Sequence, residues 1–284
     1  MLDDLLDKPF GPYRFRTGRE RVTEFIATTT DDPDRWTGAA PPAFVAAGLF
    51  AAAAPFLNHP DVTAEAQSIL HGEQAFRWFG PLPLGADLAV TARLRKLRRR
   101  GKTAFVWLTT ALGPEEALAA EADSMFLLSA EDPEPGLESA EPEPSERGQS
   151  DRPAAIELPA EGGELPTMAK SASRMELVRY AAATGDWNPI HWDHQSAVRA
   201  GLPGVICHGL LMAAWVIQGA TRTVTGSVPL AACRIRFRAP LLPATQAAVE
   251  GRVKEVRAGG ATLAMRLTST RIEHVAATVN VRSG

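Results

Sequence analysis

The stretch PGVICHGLLMAAWVIQGA, residues 203–220, contains no Asp, Glu, Lys or Arg. A second stretch of the same kind, PPAFVAAGLFAAAA, occupies residues 41–54. Each is apolar around the whole circumference of a helix, which is typical of a helix buried in a protein core or a membrane. Because both stretches are rich in Ala and carry Pro and Gly, we interpret them as helices buried in a soluble fold and expect no membrane association.

The segments that follow the two apolar stretches resemble each other. Residues 77–94, RWFGPLPLGADLAVTARL, align with residues 236–253, RFRAPLLPATQAAVEGRV. Further on, AFVWLTTAL and TLAMRLTST both alternate apolar with polar residues, which predicts strands, and the glycines Gly101 and Gly259 predict hairpin turns. This ordered series of matches, at an offset of about 160 residues, predicts an internal repeat.

Each half therefore contains one long buried helix followed by consecutive strands, an order typical of an antiparallel sheet wrapped around that helix. The expected fold class is α+β, with two antiparallel sheets, each wrapped around a long central helix, paired as a pseudo-dimer within one chain. Residues 131–153 are rich in Pro and acidic residues and predict an extended linker. The expected domains are thus residues 1–130 and 154–284.

Composition narrows the function classes. The net charge of −3 does not predict a general attraction to nucleic acid or to an anionic membrane, and we expect neither as a partner. Cys207 and Cys233 are too few for a disulfide framework and fit a reducing compartment. The opening segment MLDDLLDKPF lacks the apolar core of a secretion signal, so we expect a cytoplasmic protein.

A polar loop, TGDWNPIHWD at residues 184–193, carries the candidate chemistry. Asp186 and His191 stand five positions apart in a loop that Gly185 and Pro189 restrain. A carboxylate and an imidazole held this way suit general acid–base catalysis. The spacing alone also fits an ordinary Asx turn with a surface histidine.

The second candidate feature is the start of the buried helix at Gly209, eighteen residues after His191. The first N–H groups of a helix have no intrahelical partner and lie at the positive end of its dipole. A glycine there lets a substrate oxygen approach the backbone. The alternative is a packing glycine where helix and sheet meet, as Gly48 in the first half could be.

Together, YAAATGDWNPIHWD and AGLPGVICHGLLMAA, within residues 180–214, resemble the MaoC-like (R)-specific enoyl-CoA hydratase family, also called hydratase 2. The full chain resembles its two-repeat members. The resemblance implies a double hot-dog fold, a water held by Asp186 and His191, and the Gly209 N–H as donor to a thioester carbonyl. We expect no cofactor and no metal. The residues expected to contact or brace the substrate side are Asn188, His208, Arg236 and Arg238.

In the first half, the corresponding loop TDDPDRWTGAAPPA keeps Asp31 and Asp32, but no histidine follows at the same spacing. We therefore expect one active site per chain, with a non-catalytic, dehydratase-like first half. We also expect residues 43–57 of that half to shape the acyl pocket.

The expected reaction is the reversible hydration of a 2-enoyl thioester to a (3R)-3-hydroxyacyl thioester by a hydro-lyase. The expected substrate is an acyl-CoA or an acyl carrier protein thioester. The alternatives are a non-catalytic thioester-binding subunit and a thioesterase, because fold alone does not choose among them. Pairing of two chains into a homodimer is left open.

Three other features have less specific interpretations. Asp193 and His194 lack the spacing of convergent metal ligands. Cys207 next to His208 is more typical of a small buried hydrophobe than of a thiol nucleophile. The basic segment 93–102 could bind phosphate groups or an acidic carrier protein, but we favour the solvated face of a hairpin.

Overall fold

The computed structural model describes residues 1–113, 117–130 and 148–283. Residues 131–147, the larger part of the expected linker, lie outside the described residues. The end of that linker runs along the second half. There the Asp151 N–H donates to the Ala169 carbonyl, and the Asp151 carboxylate accepts from the Ala169 N–H at 2.8 Å.

The described residues of the first half form five strands and three α-helices. The strands are β1 (Pro9–Arg16), β2 (Ser68–Trp78), β3 (Asp87–Arg100), β4 (Thr103–Leu112) and β5 (Ala120–Ser129). The helices are α1 (Arg19–Thr29), α2 (Val45–Leu57) and α3 (Pro60–Thr63).

The second half repeats this order. Its strands are β6 (Glu164–Lys170), β7 (Leu230–Phe237), β8 (Ala247–Arg257), β9 (Gly260–Ser269) and β10 (Ile272–Arg282). Its helices are α4 (Arg174–Thr184), α5 (His194–Arg199) and α6 (Gly209–Thr221). In each half one strand and a shorter helix, α1 or α4, come before the long helix, and four strands come after it. The very short helices differ in place, since α3 follows α2 and α5 precedes α6. The predicted repeat is confirmed.

All strand pairs are antiparallel, and the two halves share one sheet of ten strands, ordered β1-β3-β4-β5-β2-β7-β10-β9-β8-β6. The expected α+β double fold is confirmed, with one addition: the two five-stranded sheets join edge to edge. The seam is the pairing of β2 with β7, from Glu73 opposite Arg236 to Arg77 opposite Ala232. Neither inner strand edge is left unpaired along this stretch, which removes two sites of unwanted strand association.

The long helices fill the two halves of the core. In α6 every residue from Leu210 to Thr221 is buried, which explains why the sequence there carries no charge. Full burial of a side chain such as Leu211 contributes roughly 1.5–3 kcal/mol to the free energy of unfolding. Among the described helices, none is both long and apolar enough to cross a membrane.

Strand burial follows the predicted alternation. In β4 and β5 buried and half-buried residues alternate without interruption, so one face of the sheet packs on the helices. The predicted hairpin turns form at Gly101 and Gly259, whose φ angles of +60° and +98° favour glycine.

Candidate active site

The loop that follows α4 is fixed at its first residues by local backbone geometry. Helix α4 begins with a capping box, in which Ser173 and Glu176 satisfy each other's backbone N–H groups. It ends at Thr184, and Gly185 takes the left-handed conformation with φ +85°. The Thr184 hydroxyl accepts from the Asp186 N–H at 3.3 Å. Asp186 is thereby held directly at the end of α4.

Asn188 and Pro189 shape the second part of the loop. The Asn188 side chain accepts from the Ile190 N–H at 3.4 Å and so caps a 3-10 turn, Pro189–His191. Its amide also donates to the Ile69 carbonyl on β2, at 3.4 Å. Asn188 therefore ties the loop to the first half of the chain. This contact fits the expected bracing role.

The structure brings Asp186 and His191 together. One carboxylate oxygen of Asp186 and one ring nitrogen each from His191 and His208 all lie within 4.8 Å of one another. His191 donates from Nδ1 to the Ile206 carbonyl at 2.9 Å. A neutral imidazole that donates from Nδ1 has its lone pair on Nε2, where it can act as a base.

His208 supports this pair from behind. It is fully buried, and its ring stacks on the His191 ring at 3.9 Å. Its Nε2 donates to the Asp186 carbonyl at 3.2 Å. The expected contact of His208 with substrate stays a prediction, because the structure places this ring against the pair and not in the cavity lining.

Burial sets the electrostatics of the pair. Desolvation disfavours the charged form of each group and raises the pKa of Asp186 to about 7, against a hydrogen bond from the Asn188 backbone that lowers it. Desolvation lowers the pKa of His191 to about 4, and it depresses the pKa of His208 as well. In the neutral range the pair thus favours a proton on the carboxyl group and a free imidazole.

Gly209 opens α6 beside this pair. No acceptor within the described residues receives its N–H. A Cβ atom placed on Gly209 would lie 3.3 Å from the ring of Phe237, so the wall of the site is tightly packed there. The backbone N–H is thus available to an oxygen that enters the cavity, in the manner of an oxyanion hole.

A cavity of about 740 Å³ contains these groups. It lies between the two halves, and residues of both line it. Asp186, Asn188, His191 and Gly209 come from the second half. The first half contributes residues of α2 and β2, which are Phe50, Ala54, Leu57, Ser68, Ile69, Leu70 and His71. The volume is in the range of pockets that enclose small organic ligands.

The two arginines expected near the substrate lie in different surroundings, because Arg236 is within β7 and Arg238 lies just past its end. Arg238 lies at the cavity and pairs with Glu273 at 2.7 Å. Arg236 does not line the cavity. Its side chain is 62% exposed on the outer face of the sheet, 3.3 Å from Glu73. The structure therefore brings Arg238, but not Arg236, to the other site residues.

The first half has no histidine at the position equivalent to His191. Thr30 has a left-handed φ of +52° at the end of α1, as Gly185 does after α4, and Asp31 follows it as Asp186 does. Five positions later stands Trp36 in place of an imidazole. The buried Lys170 ammonium donates to the Thr29 and Thr30 carbonyls, and its charge acts on Asp31. The described residues of this segment, 29–36, therefore contain no pair of a carboxylate and an imidazole.

One cavity residue escaped the sequence analysis. His71 of β2 lines the cavity, and its Nε2 is buried without a partner within the described part of the chain. No pattern in the sequence around His71 indicates that it faces inward.

The cluster of Asp186, His191 and His208 also has the donor set of a small metal site, one carboxylate with two imidazoles. The same three groups also form an acid–base set next to the free backbone N–H of Gly209. The acid–base interpretation accounts for Gly209 and the cavity, and the metal interpretation does not.

The site lies in a segment that matches the model of a known family of domains. Residues 159–275 match the model of the MaoC like domain. The chain is 28% identical over 193 residues to enoyl-CoA hydratase 2 of Arabidopsis thaliana, covering 66% of this chain and 60% of that protein. It is 27% identical over 220 residues to 3-hydroxyacyl-thioester dehydratase X of Mycobacterium tuberculosis, covering 77% of this chain and 71% of that protein.

Solved structures extend the likeness to the whole fold. A MaoC-like dehydratase superimposes with a TM-score of 0.83 at 21% identity, over all of both chains. A Mycobacterium tuberculosis protein with a double hot-dog fold superimposes with a TM-score of 0.69 at 13% identity, over 99% of this chain and 97% of the other. Residues 159–275, the segment that matches the MaoC like domain, hold Asp186, His191 and Gly209, and the chain shares the double hot-dog fold of these structures.

Proposed function

We propose that this protein catalyses the reversible hydration of a 2-enoyl thioester to a (3R)-3-hydroxyacyl thioester. One arrangement carries the proposal: the Asp186 carboxyl group and the His191 imidazole converge beside the free N–H of Gly209. Water addition next to a thioester needs a base for the water, an acid for carbon C2 and a donor for the enolate oxygen. The cavity supplies all three within one wall.

In the hydration direction, the thioester carbonyl accepts a hydrogen bond from the Gly209 N–H at the positive end of α6. A water held by Asp186 and His191 adds to C3. The His191 Nε2 takes the proton of that water, since its Nδ1 is already engaged with the Ile206 carbonyl. Charge develops on the carbonyl oxygen as the C3–O bond forms, and the N–H group stabilises it there.

Asp186 then completes the reaction. With its pKa raised to about 7, the carboxyl group holds a proton that it can deliver to C2 as the enolate collapses. The carboxyl proton is lost as the imidazole gains one, so the pair carries one proton before and after addition. Dehydration is the reverse sequence. General acid–base assistance of this kind contributes about 10²–10⁴-fold to the rate.

The names of the relatives support the substrate class. One is an enoyl-CoA hydratase and the other a 3-hydroxyacyl-thioester dehydratase. We propose acyl-CoA as the substrate, with a carrier-protein thioester as the alternative. The acyl chain extends along α2, where Phe50, Ala54 and Leu57 give the cavity an apolar side.

The test is the loss of ultraviolet absorbance of the enoyl-thioester bond in crotonyl-CoA and longer 2-enoyl-CoA substrates. We expect turnover by the wild type and a loss of at least about 10²-fold in D186N and H191Q. The matched control is D31N, which changes the equivalent carboxylate of the first half and should keep its activity in the folded fraction. The product should be oxidised by a (3R)-specific and not a (3S)-specific 3-hydroxyacyl-CoA dehydrogenase.

Two results would contradict the proposal. Release of free thiol without loss of the enoyl band would indicate a thioesterase. Equal activity of D186N and the wild type would remove the acid–base assignment. Matched crotonyl thioesters of CoA and of a carrier protein decide between the two substrates by their kcat/KM values.

A further inference from the structure

A side chain of the first half reaches the reacting end of the cavity because of an irregularity in β2. This strand pairs with β5 from Ser68 to His71 and again from Glu73, with a bulge at Gly72. Beyond the bulge, Gln74 and Phe76 face the core. With regular alternation from Gln74, the His71 side chain would point to the outer face of the sheet. The extra residue at the bulge places it on the inner face instead, opposite Phe126.

The surroundings of His71 place it at the same wall as the oxyanion donor. Its ring centroid is 4.5 Å from that of Phe126 and 5.0 Å from that of Phe237. Phe237 in turn packs against Gly209, at the start of α6. His191 is close enough for its charge to act on the pKa of His71. His71 therefore borders the space that C1 to C3 of a thioester would occupy.

His71 lines the cavity and has one polar atom that is unsatisfied. Its Nε2 is buried and has no hydrogen-bond partner within the described residues. Burial lowers the pKa of His71 to about 4, against hydrogen bonds of the ring with the Glu73 backbone and the Gln74 side chain that raise it. The imidazole is therefore neutral and offers a hydrogen bond and not a charge. A buried polar atom without a partner is unfavourable, and a bound ligand with a polar atom at this point removes the penalty.

We propose that Nε2 of His71 forms a hydrogen bond with the reacting unit of the substrate, the segment from C1 to C3 with its oxygen atoms. The inference rests on the proposed function and adds to it a substrate-binding residue from the half that has no acid–base pair. The acyl tail is a less suitable partner, because it runs past the apolar side chains of α2, among them Phe50 and Leu57.

The experiment compares H71F and H71Q with the wild type on crotonyl-CoA and 2-decenoyl-CoA. Phenylalanine fills the space of the ring without a polar atom, so we expect kcat/KM to fall about tenfold on both substrates. Glutamine offers an amide, and we expect it to restore part of the loss. The matched control is H59F, because His59 packs on Phe10 in the first half and does not line the cavity. We expect its kcat/KM to match that of the wild type.

The pattern of loss decides the outcome. A loss confined to decenoyl-CoA would mean that His71 contacts the tail, and it would overturn the proposal. The proposal would also be overturned if thermal unfolding showed that a smaller folded fraction of H71F explains its lower kcat/KM. An unchanged kcat/KM in H71F would overturn it as well.

A binding measurement separates this inference from the proposed reaction. Butyryl-CoA keeps the thioester carbonyl but cannot be hydrated, and we expect H71F to bind it about tenfold more weakly in titration calorimetry. A wild type that binds butyryl-CoA and does not hydrate crotonyl-CoA would end the hydratase proposal but leave this contact measurable. Unchanged binding in H71F would overturn the contact even if the enzyme hydrates crotonyl-CoA.

Discussion

The ring of His208 stacks on the ring of His191 with centroids 3.9 Å apart and planes inclined by 25°. The same ring donates from Nε2 to the backbone carbonyl of Asp186. His208 thus contacts both members of the acid–base pair, and the pair is held as a unit. The close contact also couples the charges of the two rings, because a proton on His191 lowers the pKa of His208.

The pH dependence of hydration should report this pair. Below about pH 4 His191 is protonated and cannot accept the proton of water, and above about pH 7 Asp186 has lost the proton meant for C2. We expect a bell-shaped profile of kcat/KM with limbs near these values, which belong to the pair and not to either group alone. Stopped-time assays between pH 3.5 and 9 measure it. A profile that keeps rising through pH 7 would contradict the assignment of Asp186 as the acid.

The N–H of Gly209 can be deleted without losing the helix. Proline is tolerated at the first position of a helix, and His208 before it has the extended ψ of 136° that proline requires. G209A adds the contact with Phe237 but keeps the N–H, so it is the matched control. We expect G209P to be about 10²–10³-fold slower than G209A in kcat. Equal rates in the two variants would remove the oxyanion role.

Asp186 should reduce stability while it serves catalysis. Its folded pKa lies above the unfolded value near 3.8, so the carboxyl group destabilises the fold increasingly as the pH rises from about 4 to about 7. D186N removes this penalty. We expect it to raise the free energy of unfolding by a few kcal/mol at pH 8 and by little at pH 4. Urea titrations at the two pH values test this, and a gain at pH 4 as large as that at pH 8 would refute it.

Chain-length preference should depend on α2. Ala54 lines the cavity from the first half, and a larger side chain there takes space from the acyl tail. We expect A54F to lower kcat/KM for 2-decenoyl-CoA by about tenfold or more. Crotonyl-CoA is the internal control and should be hydrated at the wild-type rate. Equal effects on both substrates would show that α2 does not form the tail pocket.

The sequence predicted those parts of the site that depend on local structure. The loop from Thr184 to His191 brings its two reactive groups together through a left-handed glycine, an Asn cap and a 3-10 turn, all within eight residues. The repeat was equally visible, because helix burial and strand alternation leave periodic patterns.

Features that depend on distant contacts could not be predicted. The inward direction of His71 results from the bulge at Gly72, and strand periodicity without the bulge gives the opposite face. The joining of the two sheets depends on which strand edges meet. Arg236 and Arg238 looked equivalent in sequence, but only the second lies past the end of β7, where the chain turns to the cavity.

The seam between β2 and β7 lies where a twofold axis would run if the halves were separate, identical subunits. In such a dimer of identical subunits, a mutation that changes the acyl-tail part of one pocket changes both pockets. Its effects on the acid–base residues would also occur in both. Fusion into one polypeptide lifts that constraint. Here the second half carries His191, the first half carries Trp36 at the equivalent position, and the Lys170 ammonium binds the nearby Thr29 carbonyl. Substrate range can therefore drift in one repeat while the chemistry stays constant in its neighbour.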